Sequence, residues 1–233
     1  MKTFFFLLGI FFSMNSLSQS SPFIFAKGKQ FILDGKSYHY LGTNFWYGMN
    51  LASKGAGGDR KRLVKELDQL KNLGINNLRI MAASEGPDHS EWRVSPTLQY
   101  APGKYNNELL DGLDFLLSEM AKRKMYAVVC LNNFWPWSGG MAQYHAWTNN
   151  DNIPYPPPAK KGKWLKYMLF SARFYSNQKA IEYYHDFVKY IVSRTNSYTG
   201  IAYKDDPCIM SWQIANEPRG MTKRKKYLAF LLA

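Results

Sequence analysis

Short apolar stretches that alternate with long amphipathic ones predict an α/β fold built on a parallel sheet with right-handed crossovers. Four of the apolar stretches have the length of a strand: Tyr38 to Thr43, Ile75 to Met81, Met125 to Leu131 and Cys208 to Asn216. Between them, Asp59 to Leu73, Asn106 to Lys124 and Asn177 to Arg194 read as helices. Leu63, Leu67 and Leu70 share one face of the first, and Leu109, Leu113, Leu116, Leu117 and Met120 form a stripe on the second. A closed (β/α)8 TIM barrel takes eight strands and about 250 residues. Here four strands occupy the chain as far as Asn216, and seventeen of its 233 residues follow. The expectation is an amino-terminal half barrel, with about four βα units.

Taken in order, residues 1–18 read as a signal peptide. Lys2 is a basic head, Phe4 to Phe12 an apolar run, and Ser16-Leu17-Ser18 supplies small residues for cleavage before Gln19. The apolar run is too short to anchor the chain in a bilayer, so a secreted or periplasmic protein with no membrane segment after cleavage is expected. Asp34-Gly35 between apolar runs signals a hairpin. Gly74 stops the first helix. The stretch Asn132 to Tyr175 reads as a long aromatic loop, and loops of that length are usually functional. Pro207 and Pro218 bound the fourth strand, whose Ile209, Trp212, Ile214 and Ala215 suit a strand covered on both faces. Residues 19–219 form the domain, and 220–233 form a basic and apolar tail.

Asn216-Glu217-Pro218 carries the most chemistry. Pro218 lacks an amide hydrogen and turns Glu217 away from helical angles, so the strand ends by projecting one carboxyl group. In α/β barrels that end of the strand is where the chemistry lies. A glycosidase needs one carboxyl group as proton donor and a second carboxylate across the sugar, with a hydrogen-bonding group for the 2-hydroxyl. Glu217 and Asn216 suit the first and third parts. Arg79, closing the second strand, would keep a neighbouring carboxylate ionised. Asn132 and Asn133 end the third strand and suit sugar hydroxyls. Trp46, Trp135, Trp137, Tyr144 and Trp147 follow strand ends as stacking platforms for sugar, or else as rings that anchor loops. Gly139-Gly140 suits a tight turn that folds the aromatic loop over a cleft.

Other classes find little support. Aromatic residues make up 16% of the chain and charged residues 20%, which is a globular composition. Of the formal charge of +13, Lys2 and five basic residues from Arg219 onward account for six, and the rest scatter as a solvated surface, so no nucleic acid is expected. His39, His89, His145 and His185 lack ligand spacing, and no phosphate loop appears, so neither metal nor other cofactor is expected. Cys130 and Cys208 lie at opposite ends of neighbouring strands, about 20 Å apart, beyond the roughly 7 Å of a disulfide.

The segments GTNFWYGMNLA, NNLRIMAASEG, WSGGMAQYHAW and DDPCIMSWQIANEPR resemble the endo-β-1,4-mannanases of glycoside hydrolase family 5, which are retaining enzymes on a (β/α)8 barrel. The likeness runs over residues 22 to 219. It implies that Glu217 is the acid/base, Asn216 the sugar ligand beside it, Arg79 the support of the nucleophile, and Trp46 a cleft residue. The implied substrate is mannan, galactomannan or glucomannan. The family's nucleophile is a second Glu on the seventh strand, and no position here matches it. Glu85 and Glu91 follow the second strand and do not lie across the cleft. The tail KRKKYLAFLLA departs from the family. The chain alone is therefore expected to be inactive. The alternatives are a non-catalytic carbohydrate-binding fragment or pseudoenzyme, and a parent enzyme for another β-glycan such as cellulose.

Overall fold

The computed structural model describes residues 22–87 and 92–220. The expected signal peptide, His89, Glu91 and nearly all of the tail lie outside them. The chain forms two units, divided after Tyr38. In the first, β1 (Phe25–Lys27), β2 (Gln30–Leu33) and β3 (Lys36–Tyr38) make an antiparallel sheet. Asp34 and Gly35 turn the β2–β3 hairpin with φ of +50° and +74°, the positive angles that a two-residue turn demands.

The second unit begins with β4 (Gly42–Asn44), shorter than expected because Tyr38 belongs to the hairpin. It continues through α1 (Gly48–Leu51), α2 (Arg60–Asn72), β5 (Asn77–Met81), the small hairpin of β6 (Gln99–Ala101) and β7 (Lys104–Tyr105), and α3 (Asn107–Lys122). Then come β8 (Tyr126–Cys130), α4 (Gly140–Asn149), α5 (Trp164–Ser171), α6 (Gln178–Ser193) and β9 (Ile209–Gln213). Strands β4, β5, β8 and β9 lie side by side in that order, all parallel. This is the arrangement of four successive βα units.

Local chemistry fixes the helix starts. The side chains of Asp59, Asn106 and Asn177 accept hydrogen bonds from first-turn amides of α2, α3 and α6. Gly74, at φ +83°, lets the chain leave α2 and enter β5. The apolar stripes then bury. Leu63 and Leu67 of α2 and Leu109, Leu113, Leu116, Leu117 and Met120 of α3 are all fully shielded. Asp114 of α3, also fully buried, accepts two bonds from Arg194 at 2.9 and 2.6 Å and one from the Tyr203 hydroxyl at 2.5 Å. That network ties the end of α6 and the connector before β9 to α3.

Two expectations fail here. Asn132 to Tyr175 is not a loop but holds α4, α5 and two 3-10 turns, Pro136–Ser138 and Ala172–Ser176. Residues Gly140 to Ala146 of α4 are all buried, so the helix has no polar face to give it an amphipathic signature. The fourth strand is not covered on both faces. It lies at the sheet's edge, and Ile214 just after it is 70% exposed. Cys130 and Cys208 are buried free thiols at opposite ends of the β8–β9 pair. No helix among the described residues is long and apolar enough to cross a membrane.

Candidate active site

The parallel register brings the carboxyl ends of the four strands together. Asn44 pairs with Arg79, Cys130 with Gln213, and Asn133 with Asn216 in a further bridge. Arg79 sits inside β5 rather than at its end, and its long side chain reaches the cleft. Its Nε donates to Gln213 Oε1 at 2.6 Å, its Nη2 to Asn216 Oδ1 at 2.8 Å and its Nη1 to Asn44 Oδ1 at 3.3 Å. All three acceptors are neutral amides, and no described carboxylate lies within ion-pair distance of Arg79. The guanidinium therefore keeps its full charge for an anion that enters the cleft.

Asn216 is held from both ends. Its oxygen accepts from Arg79, and its Nδ2 donates to Asn133 Oδ1 at 3.0 Å. Asn133 in turn donates to Ser138 Oγ at 2.9 Å. The amide orientation is thereby fixed, with one hydrogen and one lone pair left over. Glu217 follows at φ +45°, a left-handed angle uncommon for a residue with a Cβ. The regular strand already ends at Gln213, earlier than the expected Asn216, which keeps one further bridge to Asn133. Before Pro218 the backbone turns through this left-handed position rather than an extended one. Glu217 Oε2 accepts from the Trp135 indole N–H at 2.7 Å, and Arg219 approaches the same oxygen at 3.7 Å. Oε1 is left for a ligand.

These groups line a cavity of about 250 Å³ with Trp46, Trp135 and Trp137 as its aromatic walls. Trp46 is 48% exposed and meets Trp137 edge-on at 5.6 Å. The other aromatic candidates do not face this cavity. Tyr144 is fully buried, with its hydroxyl donating to Gln99 Oε1 at 2.8 Å. Half-buried Trp147 packs against Tyr144 at 5.4 Å, as part of the core. Both lie on α4, whose surroundings shut Tyr144 off from solvent and cover part of Trp147. Asn132 is also fully buried, its Oδ1 accepting from the Asn133 N–H at 2.8 Å, so it holds the loop instead of meeting sugar.

Sequence reasoning missed the amides of Asn44 and Gln213 that hold Arg79. Gln213, a polar residue closing an apolar strand, was the available signal. It also missed what Glu85 does. This carboxyl is fully buried behind the Trp137 wall, and its Oε2 accepts from the Gly140 N–H at 2.8 Å. Its main-chain N–H donates to Ser138 O at 2.7 Å, and Arg93 donates to its carbonyl. Burial pushes the carboxyl up to about 8, against the opposing pull of the Gly140 N–H, Arg93 and Tyr144. Glu85 thus pins the Trp-bearing segment and stays sealed from the cleft. Among the described residues, no cluster of three or more His, Cys, Asp or Glu is placed to hold a metal ion.

Known proteins resemble this chain in sequence and fold. A family described as GH family 5 beta-mannosidase-like matches residues 21–230. Mannan endo-1,4-beta-mannosidase 4 of Solanum lycopersicum is 32% identical over 200 residues, which are 86% of this chain and 45% of that protein. The glycoside hydrolase family 5 mannosidase of Rhizomucor miehei superposes with a TM-score of 0.80 at 46% identity, over 85% of this chain and 50% of that one. The endo-1,4-beta-mannanase of the same fungus gives 0.64 at 27% identity, over 84% and 49%. The chain spans about half the length of these relatives.

Proposed function

This chain belongs to the GH family 5 β-mannosidase-like proteins, and on that premise we propose that it forms the acid/base side of a secreted, retaining endo-hydrolase of β-1,4-mannosidic bonds. The observation that carries the reading is the joint placement of Glu217, Asn216 and Arg79 in one Trp-walled cavity. Glu217 protonates the leaving oxygen through Oε1 while the Trp135 N–H holds Oε2. Asn216, locked between Arg79 and Asn133, meets the 2-hydroxyl, a contact that strengthens as the ring flattens toward an oxocarbenium ion. The uncompensated charge of Arg79 holds a second carboxylate ionised as nucleophile. The mannan reading is supported by the named activity of the curated relatives. Export is supported by the amino-terminal sequence.

Joined to the carboxyl-terminal half of a family 5 barrel, the chain should hydrolyse mannan and release products of retained anomeric configuration by NMR. Glu217→Ala should then lower kcat on mannan by about 10²–10⁴. The kcat/KM for a dinitrophenyl mannoside, whose leaving group needs no proton, should fall much less than that for mannan. Equal losses of kcat/KM on both substrates would remove Glu217 from the acid/base role. The greater identity to the R. miehei mannosidase, 46% against 27% for the endo-mannanase, favours a second reading, action on short mannosides. Mannohexaose separates the two. Stepwise release of mannose supports the second reading, and early di- and trisaccharides support the endo-acting one.

A further inference from the structure

Residues 152–181 contain no Asp or Glu but six cations: Lys160, Lys161, Lys163, Lys166, Arg173 and Lys179. All six are exposed. Among the described residues only Lys179 pairs with a carboxylate, that of Glu182 at 3.2 Å. Elsewhere exposed lysines such as Lys61, Lys65, Lys71 and Lys189 also lack a carboxylate partner among the described residues. None of them belongs to a run of three lysines within four positions, and several other cations are paired. Arg62 pairs with Glu66, Lys122 with Glu119, and Arg123 with both Asp68 and Glu119. The run from Lys160 to Lys166 is thus a block of unneutralised positive charge, and mutual repulsion makes such a block unfavourable unless an anion meets it.

The block is joined to the reaction centre by aromatic rings. Trp164 follows Lys163 directly, is 46% exposed, and packs edge-on against Trp135 at 5.8 Å. Trp135 is the residue whose indole N–H holds Glu217. Beside Trp164 lies a hollow of about 290 Å³ lined by Trp92, Trp135, Trp137, Trp164 and the prolines Pro156 to Pro158, with no charged side chain in its wall. Trp135 and Trp137 line this hollow on one side and the Glu217 cavity on the other. Flat apolar walls suit the apolar face of a pyranose ring. Lys160 and Lys163 are the chain neighbours of the lining residues Ala159 and Trp164, which suits a carboxylate carried on that ring.

We propose that Trp164, the proline-walled hollow and Lys160, Lys161 and Lys163 form a subsite for a hexuronate residue, so that the glycan taken by this protein is acidic. The proposal rests on the reading of the Glu217 cavity as a mannan site. A neutral mannan would use the rings and leave the charges idle, whereas a mannan interrupted or branched by uronic acid uses both.

The test is titration of the 233-residue protein by tryptophan fluorescence with two probes. One is mannohexaose, and the other a hexasaccharide alternating mannose and glucuronate. At about 20 mM salt the acidic probe should bind about tenfold tighter, since each exposed ion pair contributes a factor of about two to five. The advantage should vanish near 0.5 M salt, where screening acts within about 4 Å. The triple substitution Lys160→Ser, Lys161→Ser, Lys163→Ser should abolish it at low salt. Equal affinities at low salt, or an advantage that survives the triple substitution, overturns the subsite and leaves the mannan reading standing. Binding of the acidic probe alone, lost in the triple variant, supports the subsite and removes the neutral-mannan reading. Binding of neither probe removes both.

Discussion

Glu217 is placed at a left-handed backbone angle that a residue with a Cβ seldom adopts. A non-glycine residue in the left-handed region stores strain of about 1 kcal/mol or more, as residues at functional sites do. Glu217→Gly should therefore be more stable than Glu217→Ala by about 1 kcal/mol in urea denaturation, because only glycine relieves the angle. Equal stabilities would show that the angle costs nothing. Glu85 makes a different demand. Its folded value of about 8 lies above the ordinary 4.5, so the protein holds its proton over a range in which the unfolded chain has lost it. The stability it contributes is fully present below about pH 4.5 and is lost as the pH rises through about 8. Between these limits stability should fall by up to about 1.4 kcal/mol per pH unit from this group. Glu85→Gln keeps an oxygen for the Gly140 N–H and cannot ionise, so its stability should not share that slope. Denaturation midpoints from pH 5 to 8.5 read the difference.

At the scale of elements, the segment between β8 and α4 decides whether the cleft has walls. It must pass close to the segment after β5 and fold back on its own start after β8, and two glycines permit it. A Cβ at Gly139 would lie 2.0 Å from Glu85 O, and one at Gly140 2.0 Å from Asn133 O, with φ of +96° and +62°. Gly140→Ala meets both the clash and the strained angle. It should destabilise by about 2 kcal/mol or more and displace Trp137, visible as a changed near-UV signal and weaker mannohexaose binding. A variant with unchanged stability would mean that this crossing is loose. The Gly-Gly pair was visible in the sequence as a tight turn. Its neighbours were not, because Glu85 and Asn133 reach it only through the path that the chain takes after β5 and β8.

For the whole molecule, the cavity around Glu217 holds one carboxylate among the described residues, and Glu85 is fully buried and does not line it. Retaining hydrolysis takes two carboxylates about 5–5.5 Å apart across the sugar. The 233-residue protein by itself should therefore show no release of reducing sugar from mannan at micromolar concentration, and measurable turnover would mean that another group acts as nucleophile. What the sequence determined by itself are features that reside in neighbouring residues. These are the alternation of strands and helices, helix starts at Asp59, Asn106 and Asn177, the apolar stripes, and the turn at Asn-Glu-Pro after the fourth strand. Tertiary structure alone decided which side chains those elements show to the cleft. Trp46, Trp135 and Trp137 face it, while Tyr144, Trp147 and Asn132 turn into the protein, although all six follow strand ends in the same aromatic context. It also decided that α4 is a helix buried around most of its length and that Ile214 stands in the open. The physical reason is the same in each case. Periodicity reports the face an element would prefer to bury, whereas burial itself depends on which distant segments arrive to cover it.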